Sequence, residues 1–245
     1  MRLRLLTALA ILFEGITPGF SAAGGDDRLL LDRWIAGETV SIQSVQQYGI
    51  DNCFTAQPID DSLFRRIDGL SYGSNCTVAL SDLRYIKVLH YDAEQNIRLG
   101  EMICHRSISD DLLEIFRTLF DARYPIGRMV LIDIYGADDE RSMRANNSSC
   151  FNFRFISGTN RLSKHSTGMA VDINPLYNPY VRVSNGRMIV EPAGADIYAD
   201  RSADFPYKIE RSDVCCQAFL KHGFEWGGDW TSRKDYQHFE KRSER

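Results

Sequence analysis

Two apolar segments separated by a short polar stretch restrict the fold of this chain more than any other feature. Residues 85–91 are rich in β-branched and aromatic side chains, which favour strands, and residues 97–104 include the apolar Ile97, Leu99, Met102 and Ile103. The five residues between them, 92–96, are mostly polar, as a hairpin turn requires. The sequence therefore predicts an antiparallel β-hairpin near the middle of the chain.

A helix is predicted directly after this hairpin. Ser109 can cap its N-terminus, and Asp110 and Asp111 place negative charge at the positive end of the helix dipole. We expect this helix to be scaffold rather than a source of catalytic groups. Apolar side chains recur at helical spacing until Pro125 ends the pattern: Leu112, Leu113, Phe116, Leu119 and Phe120.

The remaining elements do not alternate regularly between strand and helix. Such an order favours an α+β fold with a small antiparallel sheet flanked by helices over a doubly wound parallel sheet. Residues 174–184 are expected to form an ordered loop. Ser212 is expected to start a helix that Gly223 closes. Further strands are predicted over residues 129–135, 151–156, 168–174, 224–226 and 237–240.

Length and composition fit one globular domain. A chain of 245 residues with 44% hydrophobic content can bury a sizeable core. Its formal net charge is -4 and its basic residues are scattered, which argues against a nucleic-acid partner. Residues 24–80 carry many turn signals and no strong period, so we interpret them as a loosely packed N-terminal extension before a domain at 81–245. We expect a monomer.

The first 23 residues have the pattern of a signal peptide. Arg2 and Arg4 precede an apolar stretch at 5–13, and small residues follow at 21–23. A buried amphipathic helix is the alternative, but the apolar positions run continuously rather than on one face. No other segment approaches the roughly 20 apolar residues that a transmembrane helix needs. We therefore expect a secreted protein of the periplasm, cell envelope or extracellular space, with no stable membrane insertion after signal cleavage.

The chain has six cysteines, an even number that is compatible with disulfides in an exported protein. We expect a mixture of disulfides and buried thiols. None of them shows a Cys-x-x-Cys spacing, so a thiolate zinc site is not expected. The six are Cys53, Cys76, Cys104, Cys150, Cys215 and Cys216.

Residues 168–174 combine an apolar face with a polar one. Met169, Val171 and Ile173 alternate with Ala170, Asp172 and Asn174, so a strand would bury the first three side chains. Asp172 would then face a cleft.

Four residues have the chemistry of a zinc hydrolase. His165 precedes Asp172 by seven positions, His238 lies far downstream, and Asp235 stands three residues before His238. Catalytic zinc takes three such ligands and keeps a position for water, and a nearby carboxylate can take the proton of that water. The spacing of these residues alone is as compatible with a chance arrangement as with a metal site. A calcium site in the Asn- and Asp-rich loops is a weaker alternative, because imidazole is a poor ligand for a hard cation.

Two longer motifs surround these four residues. Residues 163–172 read Ser-x-His-x-x-Gly-x-Ala-x-Asp, and residues 226–240 contain Trp-Gly-Gly-Asp-Trp followed by Asp-x-x-His-Phe-Glu. Both resemble motifs of the zinc D-alanyl-D-alanine carboxypeptidase and L-alanyl-D-glutamate endopeptidase family, which includes VanY-type peptidoglycan peptidases. The resemblance runs from about residue 80 to residue 240.

The resemblance implies a fold, a cofactor and a substrate class. The fold is the hedgehog/DD-peptidase-like α+β fold, the cofactor is Zn²⁺, and the partners are peptidoglycan stem peptides of the cell wall. It implies that His165, Asp172 and His238 bind zinc and that Asp235 is the general base. Many relatives have glutamate at the base position, and the aspartate here resembles the endopeptidase-like branch.

The family also uses an arginine to hold the substrate or to stabilise the developing oxyanion. Arg154, on a predicted strand, is favoured over Arg141, in a looser segment, because a strand positions a side chain better. Either could be a surface arginine instead. Trp226, Trp230 and Tyr236 could line the cleft or belong to the core.

Two functions of different classes fit these observations. The first is a zinc metallopeptidase, a hydrolase that acts as a D-alanyl-D-alanine carboxypeptidase or an L-Ala-D-Glu-type endopeptidase. The second is a non-catalytic cell-envelope binding module that keeps the fold. The presence of Asp235 together with all three ligands argues for the enzyme, because a binding module has no need of a general base.

Overall fold

The computed structural model describes residues 24–156 and 159–241. The predicted signal peptide over residues 1–23 lies outside this part of the chain. Six α-helices within it are α1 (Gly24–Arg33), α2 (Ile42–Tyr48), α3 (Asp61–Ile67), α4 (Ser109–Asp121), α5 (Asp139–Arg144) and α6 (Val214–Lys221). Its ten strands are β1 (Thr39–Val40), β2 (Thr55–Pro58), β3 (Leu83–Tyr91), β4 (Ile97–His105), β5 (Ala170–Asp172), β6 (Tyr180–Ser184), β7 (Arg187–Glu191), β8 (Glu225–Trp226), β9 (Lys234–Asp235) and β10 (His238–Glu240).

The predicted hairpin is confirmed and forms the centre of a four-stranded antiparallel sheet. Strands β3 and β4 pair along their whole length, and β1 and β2 flank them in the order β1-β4-β3-β2. Both outer strands come from residues 24–80. Leu31, Val45 and Ile67 of the same segment are fully buried. This segment therefore packs closely on the sheet, and the expectation of loose packing is wrong.

Helix α4 covers the central sheet as predicted. The helix begins at Ser109 itself rather than after it. The Ser109 hydroxyl donates to the Arg106 carbonyl. Leu112, Phe116 and Leu119 are almost completely buried. Helix α6 packs on the other side of α4, where the ring of Phe219 meets that of Phe116 edge to face.

Three local predictions are wrong for identifiable reasons. Val130 bonds to the side-chain amide of Asn147, and Met129 accepts a single bond from the Glu101 amide of β4, so no strand ladder forms, and a 3₁₀ helix follows at Ile132–Tyr135. The expected loop at 174–184 contains β6, which turns into β7 through Asn185 and Gly186, both with left-handed φ. Asn-Gly between alternating residues is a strong hairpin signal. Helix α6 starts later than Ser212, because Asp213 caps it through the Cys216 amide.

Two further three-stranded sheets complete the architecture, in the orders β5-β10-β8 and β7-β6-β9. Val171 and Ile173, on one side of β5, and Phe239 of β10 are fully buried in a core shared with α4 and α6. The opposite side of β5 carries Asp172. The mixed helices and small antiparallel sheets confirm the predicted α+β class.

No helix in the described part of the chain combines the length and the apolar character needed to cross a bilayer. All six cysteines are free thiols, and five of them are buried. The expected buried thiols are therefore present, whereas the expected disulfides are not.

An ion pair between a partly exposed arginine and a buried glutamate ties residues 24–80 to the hairpin. The Arg66 guanidinium donates to Glu101 at 2.9 Å, and Tyr85 donates to the same carboxylate at 2.6 Å. The Glu101 side chain is only 2% exposed. Replacing Arg66 leaves this carboxylate buried without a cation.

We expect Arg66→Leu to lower the free energy of unfolding by about 2–3 kcal/mol, somewhat less than for a fully buried pair because Arg66 itself is partly exposed. Urea unfolding followed by circular dichroism measures this. Arg65→Leu, at the exposed neighbouring position of α3, is the matched control and should change stability by less than about 0.5 kcal/mol. Equal effects of the two substitutions would show that the ion pair does not anchor the segment.

Candidate metal centre

His165 is positioned by a tight turn. It lies in the 3₁₀ helix Lys164–Thr167, whose first amide groups are capped by the Ser163 hydroxyl. The turn ends at Gly168 with a left-handed φ of 68°, and a Cβ at this position would lie 2.7 Å from the His105 backbone nitrogen. Both the conformation and the lack of space require glycine. The His105 amide donates to the Gly168 carbonyl and fixes the turn to β4.

Strand pairing brings the other two predicted ligands together. His238 of β10 lies directly opposite Asp172 of β5 in the antiparallel register. Its Nδ1 is 3.0 Å from Asp172 Oδ1, and His165 Nε2 is 3.2 Å from Asp172 Oδ2. One ligand atom from each of the three residues lies within 4.8 Å of the other two. The structure thus converges His165, Asp172 and His238 on one point.

The donor set fits zinc. Two imidazole nitrogens and one carboxylate oxygen are ligands that catalytic zinc takes, and three such ligands leave a fourth position for water. Each histidine uses its other ring nitrogen for an acceptor: His165 Nδ1 is 2.7 Å from the Cys150 carbonyl, and His238 Nε2 is 3.2 Å from Glu240 Oε2. Such contacts fix the tautomer and orient the ring toward a metal.

Glu240 was not among the predicted site residues. Glu240 lies two positions after His238 on β10, so the two side chains share a face of the strand. The alternation of side chains along a strand could therefore have predicted that Glu240 lies next to His238. The Cys150 carbonyl is a backbone group that no side-chain pattern reveals.

The three side chains form a strongly coupled electrostatic group. Burial opposes a charge on His238, but hydrogen bonds to Asp172 and Glu240 outweigh it and raise the pKa of the imidazole to about 10. Burial also opposes the charge of Asp172, yet the adjacent His165 and His238 hold the pKa of its carboxyl well below its usual range. Unless another cation binds, the positive charge that balances Asp172 is that of the protonated His238 imidazole.

Asp235 lies beside this cluster with an unused oxygen. The chain turns at Tyr236 and Gln237 between β9 and β10, as predicted, and Trp226 Nε1 donates to the Tyr236 carbonyl at 2.9 Å. Asp235 Oδ1 is buried and has no hydrogen-bond partner in the described part of the chain. Burial, reinforced by the charge of Asp172, raises the pKa of Asp235 to about 7. A carboxyl with such a pKa can accept and return a proton at neutral pH.

The family comparison agrees with this geometry. Residues 157–241 match the family model for D-alanyl-D-alanine carboxypeptidase. The resemblance drawn from the two motifs is thereby confirmed for this segment, which is about a third of the chain. It contains the three converging ligands and Asp235. No curated protein and no solved structure gives a significant match.

The two arginines considered for the carboxypeptidase family's substrate contact lie outside the matched segment. Arg154 forms an ion pair with Asp139 through Nε, and Asp139 also accepts from the Asn152 side chain. Arg141 lies on α5, and its backbone amide donates to the side chain of Asp138, which caps this helix. A role for Arg154 in binding substrate stays a prediction.

The predicted strand over residues 151–156 is wrong. The backbone of this segment is extended, but its amides bond to separate places in the fold: Phe151 to Ile103, Asn152 to His165 and Arg154 to the Ser166 hydroxyl. A strand requires one continuous partner, which this segment lacks. Among the described residues 151–156, only Asn152 and Arg154 bond to the turn that carries His165, and Phe155 forms an isolated bridge with Leu162.

The aromatic side chains near the family's second motif divide between core and site. Trp226 is buried in the core, and Tyr236 packs against the same core. The ring centroid of Tyr236 also lies 4.4 Å from the guanidinium carbon of Arg201. Trp230 is partly exposed, and its ring centroid lies 5.4 Å from that of His238. Trp230 therefore lines the metal centre, whereas Trp226 is structural.

The pKa of His238 predicts how zinc affinity depends on pH. Zinc binds the neutral imidazole, so below pH 10 each binding event must displace a proton. We expect zinc affinity to fall about tenfold per pH unit between pH 8 and 6.5, measured by competition with a chelating dye. The dependence should persist in Asp235→Asn, because His238 causes it. An affinity independent of pH above 7 would contradict the raised pKa.

The close packing of Gly227 on Asp235 predicts a sensitive position. A Cβ on Gly227 would lie 2.5 Å from the Asp235 carbonyl oxygen and 2.8 Å from its Cβ. Gly227→Ala must therefore displace Asp235, and we expect turnover to fall about 100-fold if the displacement approaches 1 Å. Gly73→Ala is the control, because its Cβ would meet only the flexible Asn75 side chain. Unchanged turnover in Gly227→Ala would show that the position of Asp235 is not critical.

Proposed function

We propose that this protein is an exported zinc peptidase that hydrolyses peptide bonds in peptidoglycan stem peptides. The observation that carries the proposal is the convergence of His165, Asp172 and His238 beside a buried carboxylate oxygen of Asp235 that has no hydrogen-bond partner among the described residues. The match to the carboxypeptidase family supports the peptidase class. The export rests on the signal-peptide pattern of residues 1–23 and on the location of such a substrate outside the cytoplasm.

The chain's own residues supply binding and proton transfer. His165, Asp172 and His238 would hold the ion, with Cys150 and Glu240 fixing the two rings. A bound zinc ion would act as a Lewis acid toward the scissile carbonyl and lower the pKa of water. Asp235 accepts the proton of the attacking water and delivers it to the leaving amine, a role to which its pKa of about 7 is suited. Trp230 shields one side of the centre from solvent.

Two bonds compete as the target. A D-alanyl-D-alanine carboxypeptidase removes a terminal residue, whereas an L-Ala-D-Glu-type endopeptidase cuts an internal linkage. The aspartate at the base position supports the second, because it resembles the endopeptidase-like branch. Gly227 packs directly against the backbone and Cβ of Asp235, which restricts where this carboxylate can lie.

The alternative is a cell-envelope module that binds stem peptides without cutting them. Such a module gains nothing from burying an unpartnered carboxylate next to three ligands, since an unsatisfied buried oxygen costs stability. The unused oxygen of Asp235 therefore favours the enzyme.

Zinc content and cleavage of defined stem peptides, measured on the same sample, test the proposal. We expect one zinc per chain by elemental mass spectrometry and products by liquid chromatography with mass spectrometry, both lost on chelation and restored by zinc. Asp235→Asn should keep its zinc and lose at least about 100-fold in turnover. Asp204→Asn, an exposed aspartate in a surface loop, is the matched control and should behave as the unmodified protein.

The outcomes separate the two functions. Protein that takes up no zinc and leaves all peptides intact contradicts the enzyme. Zinc uptake with peptide binding but no cleavage supports the binding module.

A further inference from the structure

An exposed arginine lies at the edge of the metal centre. Arg233 immediately precedes β9, and its guanidinium carbon lies 4.5 Å from the ring centroid of Trp230. The same indole contacts the imidazole of His238, with 5.4 Å between ring centroids. One aromatic side chain thus connects Arg233 to a predicted zinc ligand.

The guanidinium of Arg233 keeps its hydrogen-bond donors available. Within residues 24–156 and 159–241, no carboxylate lies within 4.0 Å of it. The neighbouring basic groups are engaged: Arg154 pairs with Asp139, Arg211 pairs with Asp229, and Lys234 donates to the Gly228 carbonyl. Stacking on an indole fixes the plane of a guanidinium and leaves its edge free for a planar acceptor such as carboxylate.

The charge of Arg233 also reaches the reacting groups. Burial dominates the raised pKa of Asp235, and the positive charge of Arg233 opposes that rise. Tyr180 lies opposite Asp235 in the register of β6 and β9. Burial raises the pKa of Tyr180, and the positive charge of Arg233 opposes that rise as well. Arg233 stands two residues before Asp235 and lies against the indole that contacts His238, which places it beside the part of a peptide next to the bond that is cut.

Both candidate substrates carry a carboxylate at that place. A D-alanyl-D-alanine terminus ends in a carboxylate one residue beyond the scissile bond, and the glutamate of an L-alanyl-D-glutamate linkage brings its own carboxylate. The centre already holds three acidic side chains, Asp172, Asp235 and Glu240, which repel such an anion. A cation beside them offsets this repulsion.

We propose that Arg233, held over the ring of Trp230, binds the substrate carboxylate next to the scissile bond and is a specificity-determining residue of this protein. The inference rests on the proposed function for the identity of the substrate. It assigns to Arg233 the carboxylate contact for which the sequence suggested Arg154 or Arg141.

Paired peptides provide the test. Each defined stem peptide is prepared with the carboxylate free and as the carboxamide, and kcat and KM are measured with the zinc-loaded protein. For the free carboxylate we expect Arg233→Gln to raise KM about 10- to 100-fold, the range of a lost hydrogen bond to a charged group, with kcat within about twofold. For the carboxamide the substitution should change KM by less than about twofold.

Two further variants control for charge and folding. Arg233→Lys should recover only part of the affinity, because an ammonium lacks the planar fork. Arg187→Gln, on the distal strand β7, should leave both peptides unaffected. All variants should unfold at the same temperature as the unmodified protein, since Arg233 is exposed.

Binding measured without turnover separates this inference from the proposed function. Calorimetry of zinc-loaded Asp235→Asn, with and without Arg233→Gln, should show a preference for the carboxylate peptide that disappears with Arg233. If the preference is seen but the unmodified protein cuts nothing, the proposed function fails and the role of Arg233 stands. Equal loss for both peptides, a fall in kcat alone, or no effect of Arg233→Gln in either experiment would overturn the inference.

Discussion

The carboxylate of Asp172 between two imidazoles is the interaction on which the rest of the site depends. A carboxylate that is 9% exposed is costly unless it is paired. His165 and His238 contact its two oxygens at 3.2 and 3.0 Å. Removing one ring would leave a buried charge with half its partners, so the carboxylate depends on both the turn at His165 and the pairing of β5 with β10.

The molecule separates scaffold from chemistry. The large sheet, α4 and α6 bury most of the apolar side chains, and none of the four central residues of the site lies on them. Those residues stand on a turn and on short strands that share the core with α4 and α6. A site built from two- and three-residue strands is held in place by what lies beneath it, as the stacking of Phe239 on Phe219 at 4.2 Å shows.

Around the ligands, backbone groups carry out much of the positioning. The Cys150 carbonyl orients His165, the Gly168 carbonyl binds the turn to β4, and the Tyr236 carbonyl receives the indole N–H of Trp226. The side chains of the site are thus held by backbone carbonyl groups, which every residue type possesses. Asp235 differs, because its buried Oδ1 has no such partner within residues 24–156 and 159–241.

The sequence by itself determined the elements whose signals are local. Strand propensity and a polar turn predicted the hairpin of β3 and β4, alternation predicted the inward face of β5, and helical spacing predicted α4. The two motifs indicated the four residues of the site and a family resemblance that the family model confirms for residues 157–241. Tertiary structure alone decided the rest. The extended segment at 151–154 has no single partner strand, Glu240 and the Cys150 carbonyl matter only through the rings they contact, and Arg233 gains its position from Trp230. The physical reason is that a hydrogen bond or a stacked ring depends on distance in space, which periodicity along the chain does not encode.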